Sequence, residues 1–199
     1  MYQGLLANVQ VMTSDPVRAF SLSGTDKVYY LLEGGSDKAR TFLNDVVKGD
    51  VIQIQGQVQE ACKGKLNYYK VVVYQVVKLG PGSDVSTAKM NLIGNLGYDP
   101  ALRSTAKGSP VCNMSACCDD VWFSVTAWGR TGEVSAQYLN KGSKAFFAGD
   151  LKPVNVYKTQ SGEERIKAVV TAWTVKFLDS KPQSVAPTSE PRGGEEIPF

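Results

Sequence analysis

The sequence predicts an all-β chain with short helices: two tandem five-stranded Greek-key barrels of the OB type, followed by a disordered C-terminal tail. Three observations predict it. The 199 residues repeat once at a spacing of 93, seen in Lys48-Gly49 and Lys141-Gly142. Each half alternates short runs rich in Val, Tyr, Phe and Trp with Gly, Asp-Pro and Ser-Gly breaks, which is the pattern of short strands and turns. One helical window, Glu133 to Leu139, falls between the third and fourth runs. Five short strands with a helix after the third make an OB barrel, and a repeat of about 90 residues is too long for a solenoid unit.

Leu5-Leu6-Ala7-Asn8 resembles Leu92-Ile93-Gly94-Asn95 and opens each copy. Val17 to Ser21 lies over Val111 to Ser115 at an offset of 94, and Val28 to Leu32 over Val121 to Val125 at 93. Phe42-Leu43-Asn44 and Tyr138-Leu139-Asn140 mark the helix ends. Each Lys-Gly then leads through five strand residues to a glycine, Gly56 or Gly149. A long hairpin and a last strand finish each copy, with Val77-Lys78-Leu79 matching Val175-Lys176-Phe177. In the last strand Val169, Thr171, Trp173, Val175 and Phe177 share one face, and that stripe is expected to be core. The expected divisions are a diverged barrel over 1–79, a Gly/Pro/Ser linker over 80–88, a second barrel over 89–179 and a tail over 180–199. The tail has too little apolar surface to offset its conformational entropy.

Composition removes several function classes. The chain has no histidine, so Ser-His-Asp, Cys-His and His-ligated zinc chemistry are excluded. Cys62, Cys112, Cys117 and Cys118 form no C-x-x-C pair and are expected to be buried free thiols rather than a zinc site or a disulfide framework. The acidic pairs Asp119-Asp120 and Glu163-Glu164 point to opposite faces of a strand, so a metal-dependent nuclease is not expected. No enzyme activity, cofactor or metal is expected. No run approaches the ~18 apolar residues of a membrane helix and the N-terminus lacks a signal pattern, so a cytoplasmic protein without a membrane partner is expected. The net charge of +3 divides unevenly: residues 1–87 hold 9 basic and 8 acidic groups, 88–179 hold 11 and 8, and 180–199 hold 2 and 3.

The third strand of the second copy carries the clearest chemistry. Side chains alternate along a strand, so Phe123, Val125 and Ala127 face one way and Trp122, Ser124, Thr126 and Trp128 the other. Two tryptophans beside hydroxyl residues either cover the core beneath a loop or subunit contact, or form a platform on which bases stack in any sequence. Arg130 continues that face if the strand stays extended. Arg103, Lys107, Lys152, Lys158 and Arg165, in loops or at strand ends, are the candidate phosphate contacts. In the first copy Tyr29 takes the place of Trp122, Gly35 that of Trp128, and the hairpin from Cys62 to Lys70 is basic and aromatic, which makes Tyr68 and Tyr69 candidates for the same kind of contact.

These residues carry a resemblance. Asn91 to Pro100, Trp122 to Gly129, Tyr138 to Gly149, the hairpin Tyr157 to Arg165 and the terminal Glu195-Glu196-Ile197-Pro198-Phe199 resemble the bacterial single-stranded DNA-binding protein family. The resemblance covers residues 89 to 199. It implies sequence-independent binding of single-stranded DNA in replication, recombination and repair, with Trp122 and Trp128 at stacking positions, Tyr157 at an aromatic position in the hairpin and Arg130 at a basic one. It implies that Glu195, Glu196, Ile197, Pro198 and Phe199 recruit replication and repair enzymes, although the family usually has aspartates in place of the two glutamates. It also implies four barrels per assembly, hence a homodimer of this two-barrel chain. The loop Cys117-Cys118-Asp119-Asp120 is shorter and more acidic than the family's. The first copy lacks the ten residues Ala101 to Pro110. The competing reading is an OB-fold adaptor that docks replication proteins with little DNA affinity of its own.

Overall fold

Alternation of apolar and polar residues makes Tyr2–Ser14 the first strand, β1, with Leu5, Ala7, Val9 and Val11 buried on one face. β2 (Val17–Ser23), β3 (Asp26–Gly34), α1 (Asp37–Asn44), β4 (Val51–Cys62) and β5 (Tyr68–Leu79) complete the first barrel. β1 pairs antiparallel with β2 and β4, β2 with β3, and β4 with β5; a parallel β3–β5 pairing closes the ring. The second barrel comprises β6 (Ala88–Leu96), β7 (Ala101–Ser104), β8 (Pro110–Cys118), β9 (Val121–Trp128), α2 (Gly129–Tyr138), β10 (Lys144–Lys158) and β11 (Glu164–Phe177). It closes the same way, through β6–β8, β8–β9, β9–β11 in parallel, β11–β10 and β10–β6. β7 is an added hairpin strand on β8. The chain is therefore two OB barrels, as the repeat predicts. This computed structural model describes residues 2–80, 82–158 and 162–179, apart from the Arg165 side chain, so the acidic tail lies outside the described residues.

The barrels are joined edge to edge. β1 pairs antiparallel with β6 from Tyr2↔Ile93 to Ala7↔Ala88, which makes all eleven strands one continuous sheet. The Cys118 thiol reinforces the seam by donating to the Tyr2 carbonyl at 3.3 Å. The segment read from composition as a linker is pinned to the first barrel. Leu22 N–H donates to the Val85 carbonyl at 2.8 Å, Asn8 N–H to that of Thr87 at 2.9 Å, and the Asn8 side chain to that of Asp84 at 3.0 Å.

Four local expectations change. The 94-residue offset over β2 is corrected to 97, because Phe20 pairs with Tyr29 where Cys117 pairs with Trp122. At that offset buried Val17, Ala19 and Ser21 fall on buried Met114, Ala116 and Cys118. Cys117 and Cys118 belong to β8, leaving only Asp119-Asp120 as a turn, with φ of 47° and 65°, the geometry of a tight two-residue hairpin. α2 starts at Gly129, before the predicted window. Its inward face is Gly132 and Ser135, so no apolar period announces it; a Cβ on Gly132 would lie 2.5 Å from the Ala127 carbonyl oxygen.

The fourth correction concerns the Trp173 stripe. β10 and β11 slip register between Ala148↔Thr174 and Gly149↔Ala172, leaving Trp173 as the extra residue of a β-bulge. An extra residue reverses the alternation. The core side of β11 is thus Ala168, Val170 and Ala172 above the bulge and the half-buried Val175 below it. Trp173 stands outside, 48% exposed. The first barrel repeats the device at Tyr74, opposite Gly56. A Cβ would come within 2.3 Å of a facing carbonyl oxygen at either glycine, that of Val72 for Gly56 and that of Thr171 for Gly149. Only glycine permits these approaches.

Candidate nucleic-acid interface

β9 places the expected platform on the outside of the second barrel. Val121, Phe123, Val125 and Ala127 are buried, while Trp122 and Trp128 are 53% and 49% exposed. Ser124 and Thr126 lie half-buried between them, and the Thr126 hydroxyl donates to Asn113 Oδ1 at 3.3 Å. The Trp122 ring lies over Gly97, where a Cβ would stand 2.5 Å from its ring carbons. Cross-strand neighbours share a face, so the pairings Arg103↔Val111 and Val111↔Trp128 put an exposed guanidinium on the same row as Trp128. Lys107 is exposed in the β7–β8 turn. Arg130 does not continue the strand, because Gly129, at φ 57°, turns the chain into α2; its side chain is exposed in the first helical turn.

The β10–β11 hairpin forms an arm whose root lies on the first barrel. Tyr69, a candidate for DNA contact, is fully buried there. Its hydroxyl donates to the Lys152 carbonyl at 2.9 Å and accepts from Val169 N–H at 3.0 Å. Burial pushes its phenol well above the ordinary range, so it stays a neutral donor. A base cannot reach this ring, and Tyr69 is a structural clamp. Lys152 is likewise mid-strand and half-buried, its ammonium donating to Ser23 Oγ at 2.9 Å. Farther out, Lys158 is exposed, and Tyr157 is half-buried with the Lys167 ammonium 4.6 Å from its ring centre. The backbone of Arg165 pairs with Tyr157. At the arm's edge the Lys63 ammonium meets the Glu164 carboxylate.

The first barrel presents a different surface. Tyr29 and Tyr68 are direct neighbours on β3 and β5, and Phe20 flanks Tyr29 on β2 with the Lys27 ammonium 4.5 Å from its ring. A cavity of about 350 Å³ opens here between Arg18, Tyr29, Lys63, Lys65, Leu66 and Tyr68. Trp122 and Trp128 are thus brought together with Arg103, whereas Tyr29 and Tyr68 form a separate site. The candidates Glu195 to Phe199 lie outside the described residues. Sequence reasoning missed the exposure of Trp173; two mid-strand glycines at matching repeat positions, Gly56 and Gly149, were the available sign of a bulge.

Other chemistry is sparse. Among the described residues no group of three or more His, Cys, Asp or Glu is placed to hold a metal ion. All four cysteines are free, with Cys112 and Cys118 buried. Burial, with the neighbouring Asp119 carboxylate, pushes the Cys118 thiol up to about 11. No helix among the described residues is long and apolar enough to cross a membrane.

Residues 87–178 match the model of the single-strand binding protein family. A Thermotoga maritima protein named single-stranded DNA-binding protein is 32% identical over 116 residues, which span 51% of this chain and 82% of that one. The chain belongs to the single-strand binding protein family. A member from Wolinella succinogenes is 37% identical over 106 residues, covering 47% of this chain and 65% of its own. These matches take in about half of the chain. The crystal structure of the Thermus aquaticus single-stranded DNA-binding protein extends the likeness of fold to both barrels, with a TM-score of 0.64 over 96% of this chain and 98% of that one at 17% identity.

Proposed function

We infer that the protein binds single-stranded DNA without regard to sequence, and that it does so without catalysis. The observation that carries this is the β9 face, where two half-exposed tryptophans share an outer surface with Arg103 and no acidic residue stands between them on the strand. Each stacked base contributes roughly 1 to 3 kcal/mol whatever its identity, and cations along the path hold the phosphates. Arg103, Lys107, Arg130, Lys158 and Arg165 are proposed for that role, with Tyr157 as a further ring on the arm. Tyr29 and Tyr68 make the first barrel a secondary contact.

The wider proposal is a homodimer of four barrels acting in the cytoplasm, at the nucleoid, during replication, recombination and repair. Glu195 and Glu196 steer basic pockets of partner enzymes while Ile197, Pro198 and Phe199 anchor in an apolar one. Anisotropy of a labelled dT oligonucleotide tests the core of this. Tight binding to the single strand, weak binding to a duplex of equal length and a fall in affinity with salt are expected. Absence of binding would favour the adaptor reading. Removal of residues 195–199 should leave DNA affinity nearly unchanged and abolish capture of replication enzymes. Light scattering should give the mass of two chains.

A further inference from the structure

We propose that Trp173 is a third base-stacking residue, which carries the strand onward from Trp128 across the groove between α2 and β11, with Arg130 and Lys89 as its phosphate contacts. This rests on the single-stranded DNA reading above and lengthens its path.

Trp173 is a half-exposed ring that follows buried Ala172 onto the outer face of β11, at the bulge opposite Gly149. It stands next to Trp128. β9 and β11 run parallel, their last pairing is Ala127↔Ala172, and Trp128 and Trp173 follow immediately on the two strands, which lie about 4.8 Å apart. The first barrel shows that these two positions touch. There the equivalents are Gly35 and Tyr74, and a Cβ on Gly35 would lie 2.7 Å from a Tyr74 ring carbon. One ring covers a glycine in the first barrel, whereas both positions carry tryptophan in the second.

The surroundings suit a nucleotide. A groove of about 310 Å³ runs between Arg130 and Val134 of α2 and Trp173, Val175 and Phe177 of β11. On the other side the Lys89 ammonium sits 4.5 Å from the Trp173 ring centre. An aromatic face between two cations offers stacking to a base and charge to the flanking phosphates. Lys89 is paired with Asp150 at 2.8 Å, both side chains being partly exposed; such a pair is weak and a phosphate can replace the carboxylate.

The test uses the full chain with Trp122→Phe and Trp128→Phe, which keep stacking rings and leave Trp173 as the sole tryptophan. Short dT oligonucleotides that fill only the β9 face should leave its emission unchanged, and longer ones should quench it. Trp173→Phe, in which Trp122 and Trp128 report, separates the two claims. If its emission is quenched by DNA while the sole Trp173 stays unquenched at saturation with long oligonucleotides, the proposal fails and the DNA reading stands. A loss of quenching in both variants would sink both. Trp173→Ala should weaken binding of long oligonucleotides about tenfold and leave short ones unaffected; an equal loss at all lengths would overturn the proposal. So would a Trp173 shielded from acrylamide before DNA is added together with a halved solution mass for Trp173→Glu, because a second copy of the chain would then occupy the groove.

Discussion

The two barrels share a strand order, a parallel closing pair and a glycine-backed bulge, yet they present different chemistry to solvent. The second exposes three tryptophans, two on β9 and one on β11, together with Arg103 and Arg130. The first offers tyrosines beside a cavity, and its Tyr69, which points inward, fastens the other barrel's arm. One scaffold thus carries two different surfaces, an exposed tryptophan face and a support that holds the other barrel's arm. The difference resides in single side chains on identical backbone positions, most plainly Trp128 against Gly35.

The largest expected effect breaks the comparison directly. Trp122→Ala with Trp128→Ala should weaken oligo-dT binding by more than about 100-fold, from the loss of two stacked bases at roughly 1 to 3 kcal/mol each. Tyr29→Ala with Tyr68→Ala should cost about tenfold or less by the same anisotropy assay. Equal losses would make the barrels functional equivalents.

Next in size is the clamp. Tyr69→Phe strands the Lys152 carbonyl and Val169 N–H, and an unsatisfied buried group costs about 1 to 3 kcal/mol. Urea unfolding should show that loss, with faster amide exchange at the arm's root. A helix cap sharpens the contrast further. Ser36 accepts from Ala39 N–H at 3.2 Å at the start of α1, whereas Trp128 offers α2 no side-chain cap. Ser36→Ala should therefore destabilise the first barrel by about 1 kcal/mol. The smallest effect is chemical. Burial holds the Cys118 thiol at about 11, so it is protonated at pH 8 and the reactive thiolate is scarce. Iodoacetamide should leave native Cys118 unmodified and alkylate it in urea, as read by mass spectrometry.

Much of this was legible in the sequence because strand alternation and turn residues are local. The repeat, the two barrels and the outward Trp122 and Trp128 all follow from spacing. What escaped depends on pairing between strands distant in the chain. The bulge at Trp173 is defined by its partner β10, so a period-two reading carried back from Val175 along β11 alone puts the ring in the core. Lys152 alternates as a surface residue of a hairpin would, and only the arm's position on the first barrel occupies it, whereas Tyr69 alternates in phase with buried Val71 and Val73, so its burial was legible in the strand period. α2 was underestimated because its packing face is a glycine and a serine. The β1–β6 seam has no signature in either strand, since an edge that pairs with its neighbour looks like any other strand.

The central claim is that bases stack on the tryptophans of the second barrel, and intrinsic fluorescence during titration with oligo-dT at two salt concentrations tests it most directly. Strong quenching that saturates is expected, with an apparent affinity that falls as salt rises, and a signal that shrinks when Trp122 and Trp128 are both replaced by phenylalanine. Emission that stays constant through saturating DNA, or binding that does not change with salt, would contradict it.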